Sequence, residues 1–161
     1  MPDFSIEQKL NKPVIGLDEV GRGPLAGPLI SCGCCFKNYT IHESFYNFIG
    51  DSKKITEKKR ILSFKFLQNL KKEGIIDYHL GIANVEEIDR LNILEATKLS
   101  MKRVVDKFNL QNAYLIIDGN FSLNYKLYKE QSIIKGDDKS LSIAAASIIA
   151  KVHRDRLMKK L

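Results

Sequence analysis

Cysteine is scarce and crowded into one place. Cys32, Cys34 and Cys35 are the only three, and no second cluster completes a zinc site. Neighbouring cysteines on a strand, such as Cys34 and Cys35, point to opposite faces. Packing in the core, in a reducing compartment, is the reading left for them. Long apolar runs are missing too. The longest uncharged stretch, residues 23–36, is interrupted by glycines and prolines and is too short to span a bilayer. The amino terminus lacks a basic segment followed by an apolar one, so no signal peptide is expected. No repeat, linker or low-complexity tract divides the chain. The expectation is one cytoplasmic domain over residues 1–161, a monomer with no membrane partner.

What is present fits that expectation. The chain has 161 residues, 44% of them hydrophobic, enough to bury roughly 70% of the unfolded surface in one core. The formal net charge is +7, which favours an acidic partner such as nucleic acid over a neutral metabolite. A merely soluble basic protein remains the bland alternative on charge alone.

Hydrophobic periodicity predicts the elements. The first twelve residues are polar and expected to be peripheral. Strands are predicted over 13–18 and 29–36, the second approached through Gly27-Pro28 as a hairpin-like return. Residues 37–50 read either as a weak strand or as a helical turn. Thr56 has the chemistry of an N-cap, Ile61, Leu62, Phe64, Phe66, Leu67 and Leu70 supply an apolar face, and Gly74 reads as a stop. A strand over 75–83 follows, then one long helix over 85–108 capped by Asn84 or Asp89. A strand over 113–118, a short helix over 123–129 and a last strand over 132–134 lead to a helix from 140 to 161. That helix is uncharged on every face over 141–150, as a helix packed inside a molecule is. The pattern predicts an α/β layer structure with a mixed sheet.

Two carboxylates, Asp18 and Glu19, stand side by side at the end of the first strand. Taken alone they read more readily as the point where a strand leaves the core, and two further acids reverse that. Asp118 ends another apolar strand in the same manner, and Asp137 lies just before the buried helix. If the two strands are adjacent and parallel, their acids meet at one sheet edge, where open α/β sheets place their sites. A helix N-terminus would favour Asp137 as the anion. Carboxylates with no cysteine or histidine beside them are hard oxygen ligands, suited to Mg²⁺ or Mn²⁺ rather than zinc. Such clusters serve phosphoryl transfer with two ions ~3.5–4 Å apart. Strand adjacency is not visible in the residues themselves.

The run Asp18-Glu19-Val20-Gly21-Arg22-Gly23-Pro24-Leu25-Ala26-Gly27-Pro28 closely resembles the signature of type 2 ribonucleases H, the ribonuclease HII family. Further blocks follow in the family's order: Asp51-Ser52-Lys53-Lys54, Asn92-Ile93-Leu94-Glu95-Ala96-Thr97, Ile117-Asp118-Gly119, Lys135-Gly136-Asp137 and the stretch from Ser142 to Arg156. The resemblance implies a ribonuclease H-like fold, a five-stranded mixed sheet flanked by helices. It implies metal-dependent endonucleolytic cleavage of RNA in RNA–DNA hybrids, single ribonucleotides embedded in duplex DNA included. Asp18, Glu19, Asp118 and Asp137 match the family's metal-binding acids. Gly21-Arg22-Gly23 matches the loop that reads the 2′-hydroxyl, a task for which glycines let backbone approach closely. Ser52, Lys53 and Lys54 resemble a phosphate-contacting segment. The family pattern continues past residue 161, with more helix and a tyrosine that stacks at the RNA–DNA junction. None of the six tyrosines lies after Tyr128, so the expectation is a catalytic domain without that extension.

Other polar residues carry bland readings. Asp138 is read as solvated, Asp155, between Arg154 and Arg156, as part of a helical ion pair or a phosphate-facing surface, and His42, His79 and His153 as structural or exposed. Lys151, Arg154 and Lys159 read equally as a basic face for DNA or as a solvated helix face. Two rival functions share the acids. A DNA-only nuclease would have no use for a loop that reads a 2′-hydroxyl, and a hybrid-binding protein with a dead site would not keep all four carboxylates.

Overall fold

Burial on one or both faces decides what each segment becomes. The computed structural model describes residues 1–23, 27–40, 42–50 and 55–160. Strand β1 (Val14–Val20) is buried along most of its length and β2 (Leu29–Phe36) along all of it. β3 (Ile76–Ala83) is only partly covered, β4 (Tyr114–Asp118) is buried at its centre, and β5 (Lys129–Ile133) is largely exposed. The sheet order is β3-β2-β1-β4-β5. β1 pairs antiparallel with β2 and β2 with β3, whereas β1–β4 and β4–β5 are parallel. This is the five-stranded mixed sheet that the resemblance implied.

Helices cover both faces. Besides α1 (Ser5–Leu10), these are α2 (Glu43–Ile49), α3 (Glu57–Lys72), α4 (Val85–Leu91), α5 (Ile93–Lys107) and α6 (Leu141–Lys159). On one face, α6 lies across β1 and β2, with Phe64 and Leu67 of α3 and Phe45 and Ile49 of α2 beside it. On the other, Met101, Val104 and Val105 of α5 pack on Ile15, Leu17, Leu115 and Ile117. Each such side chain contributes about 1.5–3 kcal/mol by leaving water. The cysteines sit in these layers, buried and free, and burial pushes the Cys35 thiol up to about 11. No helix among the described residues is long and apolar enough to cross a membrane.

Several elements depart from the periodicity reading. The amino terminus is not peripheral: Phe4 is fully buried, its ring 4.9 Å from that of Phe36. Glu7 of α1 accepts hydrogen bonds from Ser140 Oγ at 2.9 Å and Ser142 N at 3.1 Å, at the start of α6. The open segment contains helix α2. The single helix expected over 85–108 is two, broken at Asn92 with φ 80° and ψ 167°. Asn92 accepts from Glu95 N and so caps α5, as Asn84 caps α4 through Glu87 N. The repeated Asn-x-x-Glu spacing is a sequence signal for both caps. The short helix over 123–129 is absent because Glu130 takes its backbone donors. Its carboxylate accepts from Leu123 N at 2.7 Å and from Ser122 Oγ at 2.5 Å, and the chain enters β5 early.

Candidate active site

The parallel register of β1 on β4 decides where the acids go. Leu17 stands opposite Ile117, so Asp18 and Asp118, one step further along each strand, reach the same sheet edge. Side chains alternate, and the even-numbered positions here face α6: Val14, Ile116 and Ile143 share one apolar cluster. β1 is pressed hard against that helix. A Cβ on Gly16 would lie 2.6 Å from the carbonyl carbon of Ser142 and 2.7 Å from Ile143 N, so a larger residue would push the helix off the strand. Asp137 belongs to a 3₁₀ turn, Gly136–Asp138, that leads into α6. The close seat of α6 on Gly16 therefore brings Asp137 to the strand ends.

Asp18, Asp118 and Asp137 each offer a carboxylate oxygen within 4.8 Å of the others. Asp18 and Asp137 are 7% and 2% exposed. Asp118 Oδ1 accepts from Gly136 N at 3.0 Å, and Asp18 Oδ1 from Glu19 N at 2.8 Å. Burial, then the charges of Asp118 and Glu19, push the Asp18 carboxyl well above its usual range. Anions crowded in this way need a cation, and the donor set is oxygen throughout, which suits Mg²⁺ or Mn²⁺.

Glu19 lies beside that cluster rather than within it: it follows Asp18 on the strand, and the Asp118 charge acts on its carboxyl as Glu19 acts on that of Asp18. There Arg22 Nη1 lies 3.6 Å from Glu19 Oε1, and the guanidinium sits over the Phe121 ring at 5.8 Å. Glu19 Oε2 is buried with no hydrogen-bond partner among the described residues, an orphaned oxygen that a cation would satisfy. Burial pushes the Glu19 carboxyl up to about 7, against the opposing pull of Arg22.

Gly21, Arg22 and Gly23 follow directly, placing the loop backbone next to the acids. Ser52, Lys53 and Lys54 lie outside the described residues, as do Pro24, Leu25 and Ala26. Of the basic residues of α6, the three singled out in the sequence are committed in different ways. Lys151 pairs with Asp155 at 3.0 Å, Lys159 with Glu57 at 2.9 Å, and Arg154 is buried at 5% exposure. Asp155 also meets Arg60 at 3.4 Å, so it is an ion-pair residue, with Lys151 and Arg60 as partners rather than its arginine neighbours. His79 pairs with Asp77 at 3.1 Å, and His153 sets its ring edge-on to Phe64 at 5.2 Å. Glu7 is a buried acid that sequence reasoning missed, since nothing in its polar surroundings signals burial.

Hard oxygen donors held where two parallel strands end, on a mixed sheet of this order, belong to the ribonuclease H-like class of metal-dependent nucleases. Within that class the chain belongs to the ribonuclease HII family, whose model, Ribonuclease HII, matches residues 15–161. It is thus a type 2 ribonuclease H, a hydrolase acting on nucleic acid. A ribonuclease HII from Wolbachia pipientis subsp. Culex pipiens is 49% identical over 160 residues, covering 99% of this chain and 77% of that protein. The crystal structure of ribonuclease H2 from Pyrococcus horikoshii matches with a TM-score of 0.75 at 28% identity, over 92% of this chain and 74% of the other. Bst-RNase HIII in complex with Mn²⁺ shares the fold, with a TM-score of 0.72 at 19% identity, over 99% of this chain and 57% of the other.

Proposed function

We propose that this chain cuts the RNA strand of RNA–DNA hybrids and nicks 5′ of single ribonucleotides embedded in duplex DNA, leaving a 3′-hydroxyl and a 5′-phosphate. The observation that carries the reading is the buried aspartate cluster next to the backbone of Gly21-Arg22-Gly23. Asp18, Asp118 and Asp137 would hold Mg²⁺ or Mn²⁺, with the orphaned oxygen of Glu19 as a fourth donor. When bound, a pair of such ions supplies an activated water and stabilises the departing oxygen. The protein's own part is positioning. Gly136 N orients Asp118, and Glu19 N orients Asp18. Gly21 and Gly23 let the main chain approach the sugar closely enough to recognise a 2′-hydroxyl, the group that separates RNA from DNA. Ser52, Lys53 and Lys54 are assigned to phosphate contact, which fixes the duplex without reading its sequence. The substrate is met in the cytoplasm.

The test is cleavage of a duplex carrying one ribonucleotide, with Mg²⁺ and with Mn²⁺, mapped to the nucleotide. One cut 5′ of the ribonucleotide is expected, and none in the all-DNA duplex. Asp118→Asn keeps the shape and removes the charge, so turnover should fall by at least ~100-fold, the scale of losing one preorganised electrostatic group. Substrate binding should persist. Equal cutting of the all-DNA duplex, or full turnover by Asp118→Asn at saturating metal, overturns the assignment.

A further inference from the structure

Arg154 is a charged residue in a place where charge is expensive. It is 5% exposed, and a cation taken out of water is costly unless hydrogen bonds and charges around it compensate. Its Nε donates to Pro28 O at 3.0 Å. Its Nη2 is buried without a hydrogen-bond partner among the described residues. The same side chain lies directly beneath both described ends of the loop that joins β1 to β2. A Cβ on Gly21 would come within 2.7 Å of Arg154 Nε and 2.9 Å of Pro28 O, and one on Gly27 would stand 3.5 Å from Nη2. Gly21 and Gly27 have φ of 108° and 127°, values that L side chains disfavour. One helical turn on, Met158 continues the floor, its Sδ 2.6 Å from where a Gly27 Cβ would be.

We propose that Arg154 is a positioning residue for substrate discrimination: its guanidinium clamps both ends of the Gly21–Pro28 loop onto α6. That helix also fixes Asp137 at its start and seats on Gly16, two residues before Asp18. One rigid rod then sets the distance between the loop and the carboxylate cluster. The planar fork of arginine suits this work, because it presents donors in a fixed geometry to more than one group. The clamp rests on the reading of Gly21-Arg22-Gly23 as the ribose-reading loop.

The test compares the wild-type chain with Arg154→Met and Arg154→Lys by two independent readouts. Amide hydrogen exchange reports local opening without reference to activity. In Arg154→Met, exchange should rise by roughly tenfold or more at residues 21–23, 27 and 29 and stay unchanged at 114–118, because only the loop loses its anchor to α6. The binding preference for the single-ribonucleotide duplex over the all-DNA duplex should fall by a similar factor, and cleavage of the former should weaken chiefly through KM. Mn²⁺ binding, followed by calorimetry, should be unaltered. Arg154→Lys, which keeps charge but not the fork, should recover part of both effects. If the methionine variant does not fold, the lysine variant decides by the same readouts. Unchanged exchange in the loop overturns the clamp whatever the chain cleaves. A wild-type chain that ignores the ribonucleotide overturns the assignment of the loop instead, even where exchange responds.

Discussion

Glu7 illustrates what one buried acid commits a chain to. Its carboxylate fastens α1 to Ser140 and Ser142, and burial raises its pKa while the serine hydrogen bonds oppose the rise. The net shift is upward from 4.5. A carboxyl whose folded pKa exceeds its unfolded one contributes stability below the unfolded value and loses it as pH climbs through the folded value. Glu7→Gln cannot titrate. Urea denaturation of both proteins should therefore show the variant gaining on wild type as pH rises from about 4 to 7. A stability difference that stays flat over that window would place Glu7 in solvent in the folded chain. Residues of this kind were the least legible in the sequence. Asp18, Asp118 and Asp137 announce themselves by ending apolar strands or opening a buried helix, whereas Glu7 sits among polar neighbours and is buried only because Phe4 drives that segment into the core.

At the scale of elements, β3 is the exposed edge of the sheet on one side, and three cations close its outward carbonyls. Lys71 Nζ donates to Tyr78 O at 2.7 Å, Arg103 Nη1 to Ile82 O at 2.7 Å, and Lys107 Nζ to Leu80 O. They arrive from both faces, Lys71 on α3 and the other two on α5. Alternate residues of an edge strand point their carbonyls outward, and an open row of them invites another strand. The double variant Lys71→Ala, Lys107→Ala should self-associate with rising concentration in sedimentation experiments while wild type does not. Its stability should fall by no more than about 1 kcal/mol, as exposed ion contacts are weak. A monodisperse variant would mean that the edge is guarded by something else. Elements were legible where a period and a cap agreed, as with Thr56 and the buried stretch of α6. They were misread where a side chain competes for backbone donors. Asn92 splits a helix that periodicity joins, and Glu130 unwinds one that propensity allows.

At the scale of the whole molecule, the sequence could not say that β1 and β4 are neighbours, because adjacency is a property of tertiary packing. The acids converge only in that arrangement, and the family's motifs named them ahead of the geometry. The charge of +7 is legible directly and makes a quantitative demand. Each phosphate neutralised by a lysine or arginine releases counterions, so log Kobs falls against log salt by ~0.9 for each contact on a duplex. Lys53 and Lys54 are assigned to such contacts. Lys159 is not, because its ammonium is committed to Glu57 at 2.9 Å. Affinity for a duplex carrying one ribonucleotide, measured by anisotropy across a salt series with the cleavage-deficient Asp118→Asn background, should therefore separate the two lysines. Lys53→Ala should flatten the slope by about one unit and weaken binding to hybrid and all-DNA duplexes alike. Lys159→Ala should leave the slope where it was. A slope that moves with Lys159 and not with Lys53 would shift the duplex from the segment after Asp51 to the end of α6.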